Sequence, residues 1–390
     1  MNIRERLTGR RIFGIEKTPD PDAQSAGWES SPEQKTYLTR RMDEVSRSFA
    51  VVVSYLEQPL RDYFAAAYLL CRVVDNIEDC GESHTWKQRR FVEFMRLLNE
   101  PGDAVEVLPG WAGQPWPALT EHERRMMAPE NGLMLWQIYA SIPAAPRAII
   151  RRWAVAMANG MSALEDPGQA PHLTQRDGVQ MLARASDYNR YCYFVAGTVG
   201  HMATELVIGH YALNGDAADA LLAACEACGR GLQKTNIVKD FAEDLGRGMS
   251  YLPEEWLREV SFSPLSLADA PAAWKRKVLD DVMAELRLAT TYVLALPYGA
   301  VGYRMASLMC LLPAYQTILL AAREHDRLFT PRHHVKISRV SLAHCMQEAK
   351  SMVADNGAVA AYSQKIAEAV SAAFQDRRPG GKAPEAVHRF

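Results

Sequence analysis

The same acidic pattern occurs twice. Asp75, Glu78 and Asp79 in YLLCRVVDNIEDC recur as Asp240, Glu243 and Asp244 in LQKTNIVKDFAEDLGRG, each time inside an otherwise apolar run. On a helix turning about 100° per residue, this spacing puts all three carboxylates of a set on one face. Tyr68 and Arg72 extend the first stripe, and Gln233 and Asn236 extend the second. Leu70, Val73, Val74 and Ile77 occupy the opposite face of the first, so the pattern predicts a core helix with a polar seam. Like charges one turn apart cost an isolated helix a few tenths of a kcal/mol per pair, and more when half-buried without partners. Something cationic should compensate. Mg2+ suits the pattern, because it prefers hard oxygen ligands and usually binds through one or two carboxylates plus substrate phosphates. Two such stripes facing each other can hold ions on one diphosphate and neutralise it as it leaves. A solvated charged face is the plainer reading of either motif alone, and its duplication within two apolar helices argues against it. A di-iron carboxylate bundle would want Glu-x-x-His pairs, and neither motif has a histidine three residues on.

Around these motifs the chain reads as helix. The spacing predicts helices over about 35–98, 119–165, 174–246, 269–295, 300–328 and 340–375, with few segments of period-two alternation. The fold class expected is all-α. Residues 101–117, PGDAVEVLPGWAGQPWP, read as a loop from their proline and glycine content, and prolines punctuate the connections at 166–172 and 262–272. Residues 1–34 are expected to form a flexible N-terminal arm, 35–375 a single helical domain, and 376–390 a flexible basic tail. With 390 residues, 48% of them hydrophobic, the chain can bury a substantial core.

A formal charge of −2 gives no global basic field, which argues against nucleic acid as a partner and requires any diphosphate to be bound locally. The seven cysteines are odd in number and scattered, and no apolar secretory segment opens the sequence. The expectation is a reducing cytoplasm. Cys225 and Cys228 form a C-x-x-C, but no second pair completes a zinc tetrad and the surrounding ACEACGRG reads as helix. MASLMCLLPAYQTILLAA (305–322) carries no charge over the minimum length of a membrane span. Its proline, glutamine, serine and threonine, and its lack of strong flanking anchors, favour a helix buried in protein.

Together these residues resemble the squalene and phytoene synthase family over roughly residues 40–345. SRSFAVVVSYL (46–56) is similar to the family's N-terminal substrate helix, and YLLCRVVDNIED and LQKTNIVKDFAED to its two aspartate-rich motifs. RYCYFVAGTVG (190–200) resembles its central helix, and LMCLLP (308–313) the apolar wall of its second prenyl pocket. The resemblance implies a single-domain isoprenoid-synthase helical fold with a central cavity. It implies contacts from Ser46, Arg47 and Ser48 to a diphosphate, and a catalytic role for Tyr191 together with Arg72 and Tyr68. Gln233 and Asn236 would bind substrate, with Val195, Val199, Cys310 and Pro313 lining an apolar wall that keeps water from a carbocation. Asp75, Glu78, Asp79, Asp240, Glu243 and Asp244 would hold Mg2+.

The implied reaction joins two molecules of farnesyl diphosphate head to head through presqualene diphosphate, followed by reduction with NADPH to squalene. Tyrosine is a poor base at its ordinary pKa near 10, but its ring face stabilises a cation and its oxygen can guide a proton toward released diphosphate. YCYFVAGTVG is close to the form in dehydrosqualene and phytoene synthases, which stop without reduction, whereas LQKTNI and VKISR (335–339) resemble the squalene-forming members. Cys80 and Lys239 replace residues more common in the family at their positions. No G-x-G-x-x-G follows a strand, so NADPH is implied by resemblance alone, with Lys336 and Arg339 as candidate contacts to its 2′-phosphate. A dehydrosqualene or phytoene synthase, or a non-catalytic helical scaffold, are the competing readings. The polar end of the sequence suggests a soluble form, with transient membrane-surface contact through apolar surface and Arg377, Arg378 and Lys382.

Overall fold

The computed structural model describes residues 28–164, 166 and 172–375, without the side chain of Arg47. The expected arm up to residue 27, most of the 166–172 connection, and the tail with Arg377, Arg378 and Lys382 lie outside the described residues. The first half of the chain forms α1 (Pro32–Val45), α2 (Arg47–Ser54), α3 (Leu60–Asp79), α4 (His84–Asn99), α5 (Ala104–Ala112), α6 (Glu121–Met126), α7 (Pro129–Ser141) and α8 (Ala144–Leu164). After a short hairpin come α9 (Ala185–Cys192), α10 (Thr198–His210), α11 (Gly215–Gly246), α12 (Glu254–Arg258), α13 (Ala272–Ala295), α14 (Val301–Arg323), α15 (Arg339–Met352) and α16 (Asn356–Ala373). The fold is all-α in class.

Local chemistry sets many of the boundaries. Ser31 caps α1 in a capping box with Gln34, and Pro32 follows at the position where a missing N–H costs nothing. Thr120 and Glu123 repeat the capping box on α6, and Asp355 caps α16, which splits the expected helix 340–375 in two. The long pattern over 35–98 is likewise divided, at Ser46, at residues 55–59 and at residues 80–83.

Two sequence expectations are corrected. Residues 101–117 are not simply a loop: Pro101–Asp103 make a 3₁₀ turn that leads into α5. Pro101 starts a turn rather than breaking one, and the spacing of Val107, Leu108 and Trp111 gives the segment a buried helical face. The predicted helix from 174 begins instead as a hairpin of β1 (Leu173–Arg176) and β2 (Val179–Leu182), antiparallel, with Arg176 opposite Val179. Asp177 and Gly178 both have positive φ, 52° and 80°, which is the two-residue turn that an Asp-Gly pair favours. β3 (Met249–Ser250) then pairs in parallel with β2, tying the chain just after α11 to the chain just before α9.

Five helices close a ring: α2 packs on α3, α3 on α10, α10 on α11, α11 on α14, and α14 back on α2. Outside it, α8 covers α3 and α10, while α13 and α16 cover α11 and α14. By length and composition α14 could cross a membrane, yet most of it is buried against α11, α13, α15 and α16. Close approach of α10 and α11 depends on glycine. A Cβ on Gly200 would lie 2.2 Å from the Cys225 carbonyl oxygen, and one on Gly229 would lie 1.9 Å from that of Ala196.

Candidate active site

Three helices of the ring, α3, α11 and α14, show a partly accessible stripe along one face. On α3 the stripe is Phe64, Tyr68, Arg72 and Asp75, ending at the exposed Asp79, while Leu70, Val73, Val74 and Ile77 are fully buried. On α11 it runs through Cys228, Leu232, Gln233 and Asn236 to Asp240, Glu243 and Asp244. Ser307, Cys310 and Pro313 form the stripe on α14, and Val195 and Val199 lie half-buried where α9 passes into α10. Successive members lie three or four residues apart, so each stripe runs along one helix face. Facing one another around the ring, these stripes carry carboxylates at one end and apolar side chains at the other.

The two acidic motifs meet at the polar end. The Asp79 carboxylate acts on Asp244, and the Arg247 guanidinium acts on both of them. Arg72 lies beside the first motif, with its Nη1 3.7 Å from Asp75 Oδ2 and its Nη2 donating to the Tyr68 hydroxyl at 3.1 Å. Burial disfavours the Arg72 charge, but Asp75 and Tyr68 outweigh it and raise its pKa. Burial pushes Asp75 up to about 7; Arg72 opposes this, while Asp79 and Glu123 add to it. Asp244 is also held at about 7, by burial and by the charge of Asp240. Asp79 rises for the same leading reason, its desolvated surroundings, against the pull of Arg72 and Arg247. Lys239 pairs with Asp240 at 3.1 Å, and Glu243 lies 3.8 Å from His334. The site thus carries more negative charge than its own arginines neutralise.

No three acidic, histidine or cysteine side chains among the described residues converge closely enough to hold an ion by themselves. Hard oxygen donors on two facing helices, with carboxyls pushed up by burial and mutual repulsion, fit a divalent cation that completes its shell with water and phosphate oxygens. The Cys225–Cys228 pair lies inside α11 as free thiols.

Tyr191 reaches the same end from α9. It is 8% exposed, and its ring stacks on that of Tyr251 with centroids 4.5 Å apart. Burial raises the pKa of both phenols well above the ordinary value, and the nearby charges of Glu78 and Asp79 raise them further. Both hydroxyls therefore stay protonated at neutral pH. Just past Tyr191, residues Tyr193–Gly197 form a π turn between α9 and α10, which shifts the register of Val195 and Val199 relative to Tyr191. Such turns recur at functional sites.

Phe49 stacks on Tyr68 at 4.6 Å, so the start of α2, with Ser46 half-buried and Ser48 exposed, lies beside the first motif. Tyr251, Arg247 and Phe49 were missed by sequence reasoning. Tyr251 and Arg247 follow the second motif by less than three turns' worth of residues, but only the β2–β3 pairing shows that the chain folds back there. Lys336 lines a separate cleft of about 300 Å³ with Gln316, Arg323, His333, His334 and Ser338. Arg339 does not: it is exposed at the start of α15 and outside that lining, and Arg323 on α14 supplies the second strong cation.

The squalene/phytoene synthase family model matches residues 42–341, spanning both acidic motifs and the Tyr191 helix. The chain belongs to the squalene/phytoene synthase family. Among its relatives is squalene synthase ERG9 of Candida albicans, 30% identical over 210 residues, a match covering 54% of this chain and 43% of that protein. The matched stretch thus spans less than half the length of such curated relatives. The fold is similar to that of a TcSQS complex with the ligand BPH1237, with a TM-score of 0.71 and 22% identity over 90% of this chain and 94% of the other. A dehydrosqualene synthase has a TM-score of 0.55 and 18% identity, over 82% of this chain and 96% of that one.

Proposed function

We propose that this squalene/phytoene synthase family member joins two farnesyl diphosphates head to head through presqualene diphosphate and reduces the product to squalene with NADPH. The observation that supports the reading is the pair of acidic motifs meeting beside Tyr191 at the polar end of the helix ring. Asp75, Glu78, Asp79, Asp240, Glu243 and Asp244 would hold Mg2+, which neutralises the departing diphosphate when bound. Ser46, Ser48, Gln233, Asn236 and Arg72 offer hydrogen bonds to diphosphate oxygens, and Tyr68 holds the Arg72 guanidinium in place.

With its phenol protonated, Tyr191 is no general base. Its ring, backed by Tyr251, presents a π face to an allylic cation, and its O–H donates toward the leaving diphosphate. Val195, Val199, Cys310 and Pro313 exclude water that would quench the cation. NADPH would supply the hydride of the second half-reaction. The cleft of Arg323, Lys336, His333 and His334 offers cations to its 2′-phosphate, and the His334–Glu243 approach sets that cleft next to the second acidic motif.

Product analysis by mass spectrometry tests this directly. Purified protein with farnesyl diphosphate and Mg2+ is expected to release diphosphate, and to give squalene only when NADPH is added. The same hydrocarbon with and without NADPH would move the chain to the dehydrosqualene or phytoene reading. No diphosphate release at all would leave a scaffold.

A further inference from the structure

We propose that Tyr303, fixed by a buried chain of hydroxyls, is the floor of the prenyl cleft and limits the isoprenoid tail to fifteen carbons. The inference rests on the prenyl-transfer reading above and adds the residue that sets substrate length.

The apolar ends of the stripes converge on one layer. Phe64 of α3 meets the Tyr303 ring edge-on, with centroids 5.7 Å apart. The half-buried thiols of Cys228 on α11 and Cys310 on α14 are near enough to act on the Tyr303 hydroxyl. That hydroxyl bonds to Tyr292 of α13 at 2.9 Å, and the Tyr292 hydroxyl bonds to Thr204 of α10 at 2.8 Å. All three are buried, at 7%, 2% and 1% exposed. An aromatic ring anchored this way cannot swing aside for a longer tail without leaving buried hydroxyls unpaired, which is costly. The chain beneath is closed as well. A Cβ on Gly302 would lie 2.5 Å from the Tyr55 carbonyl oxygen and 3.5 Å from the Leu56 Cα, so the start of α14 presses directly on the end of α2.

Helix rise measures the depth of this layer twice. Phe64 precedes Asp75 on α3 by a separation of about 17 Å at 1.5 Å per residue, and Cys228 precedes Asp240 on α11 by about 18 Å. A farnesyl tail has twelve carbons along its main chain; at about 1.25 Å of extension per bond of roughly 1.5 Å it spans about 14 Å. That leaves a few ångströms for the diphosphate against the carboxylates. The sixteen-carbon main chain of a geranylgeranyl tail spans about 19 Å by the same count and overruns the floor.

The test compares diphosphate release from geranyl, farnesyl and geranylgeranyl diphosphates, with product masses, in the wild type and in Tyr303→Ala, Tyr303→Leu and Cys228→Phe. Circular dichroism establishes which variants fold, and Tyr303→Leu keeps an apolar filler in case Tyr303→Ala does not. The wild type is expected to prefer the farnesyl substrate. Lowering the floor in either Tyr303 variant should raise the geranylgeranyl-to-farnesyl ratio of kcat/KM by about tenfold or more, since a single methylene already discriminates about tenfold in an apolar pocket. Cys228→Phe should shift the ratio the other way, toward geranyl. Folded Tyr303 variants with unchanged ratios, or a wild type that prefers the geranylgeranyl substrate, would overturn the floor assignment while leaving prenyl transfer intact. A wild type that releases diphosphate from none of the three would sink the prenyl-transfer reading and the floor with it.

Discussion

Tyr191 and Tyr251 lie face to face, with ring centroids 4.5 Å apart and planes 20° from parallel. Tyr251 also feels the charges of Glu78, Asp79 and Asp244, so this pair stands where the two acidic motifs meet. Two stacked rings make a more polarisable wall than one. Cation–π stabilisation in a desolvated site is worth about 2 kcal/mol, so Tyr251→Ala should slow diphosphate release by about 30-fold. Tyr251→Phe keeps the ring and is expected to lose far less. Equal losses in both variants would assign the role to the hydroxyl instead, and the parallel comparison of Tyr191→Phe with Tyr191→Ala separates the same two roles there.

Removing one charge from either acidic motif should abolish most turnover without unfolding the helices. Asp75→Asn, Asp79→Asn, Asp240→Asn and Asp244→Asn each delete one carboxylate of the proposed Mg2+ set while conserving volume. A charge-assisted contact is worth roughly 1.5–3 kcal/mol, which corresponds to losses of about 10- to 150-fold. Steady-state rates over a magnesium titration, with far-UV circular dichroism as the folding control, check this. Near-normal turnover in a folded variant removes that residue from the metal set.

The raised carboxyls give the metal a pH dependence with a definite sign. Asp75 and Asp244 sit at about 7 in the folded, metal-free protein, above the ordinary carboxylate value near 3.8. The folded state therefore holds more protons than the unfolded chain between these limits, and these two groups lower stability as pH rises from about 4 to about 7. Mg2+ requires the ionised form, so its binding should release protons near neutrality and its stabilising effect should be larger at pH 8 than at pH 5.5. Melting temperatures with and without Mg2+ at the two pH values decide it. A magnesium effect of equal size at both would contradict the assigned cause.

The NADPH site proposed at the Lys336 cleft predicts a split between half-reactions. Arg323→Ala with Lys336→Ala should raise the NADPH concentration needed for squalene by about tenfold or more, through loss of two phosphate contacts, and leave the first diphosphate release unchanged. Arg339→Ala, outside the cleft lining, should leave the NADPH dependence as it is. Unaltered NADPH dependence in the double variant would clear the cleft of this role.

A buried lysine holds the second motif's helix in place. Lys234 is 1% exposed, with its Nζ 2.8 Å from Asp281 and 3.1 Å from Glu285 of α13, and it lies over the Tyr188 ring. Lys234→Ala takes the cation from Asp281 and leaves Glu285 with Arg230 alone at that helix interface, and is expected to cost about 3 kcal/mol. Chemical denaturation measures this, and a loss below 1 kcal/mol would show that the network relaxes onto Arg230.

Much of the site could be read in advance because its chemistry is periodic. Asp75, Glu78 and Asp79 share a face whatever the helix packs against, since 100° per residue fixes it, and the same holds for Asp240, Glu243 and Asp244. The hairpin at Asp177–Gly178 carries an equally local signal, a D-G pair, inside a stretch whose apolar spacing predicts helix. Residues 101–117 erred the other way: proline and glycine suggested a loop where Val107, Leu108 and Trp111 in fact drive a helical face into the core.

By itself the sequence determined the all-α class and the two carboxylate stripes, with Tyr68 on the first, because helix propensity, apolar spacing and charge repulsion act over a few residues. Only the tertiary structure decided that the stripes face each other, that Tyr251 and Arg247 join them, that Arg323 rather than Arg339 accompanies Lys336, and that Tyr303 closes the opposite end. Those relations depend on how five helices pack into a ring and on a short β pairing that returns the chain to its site. They link residues far apart along the chain, and such contacts form only when the buried faces of several helices are satisfied at once.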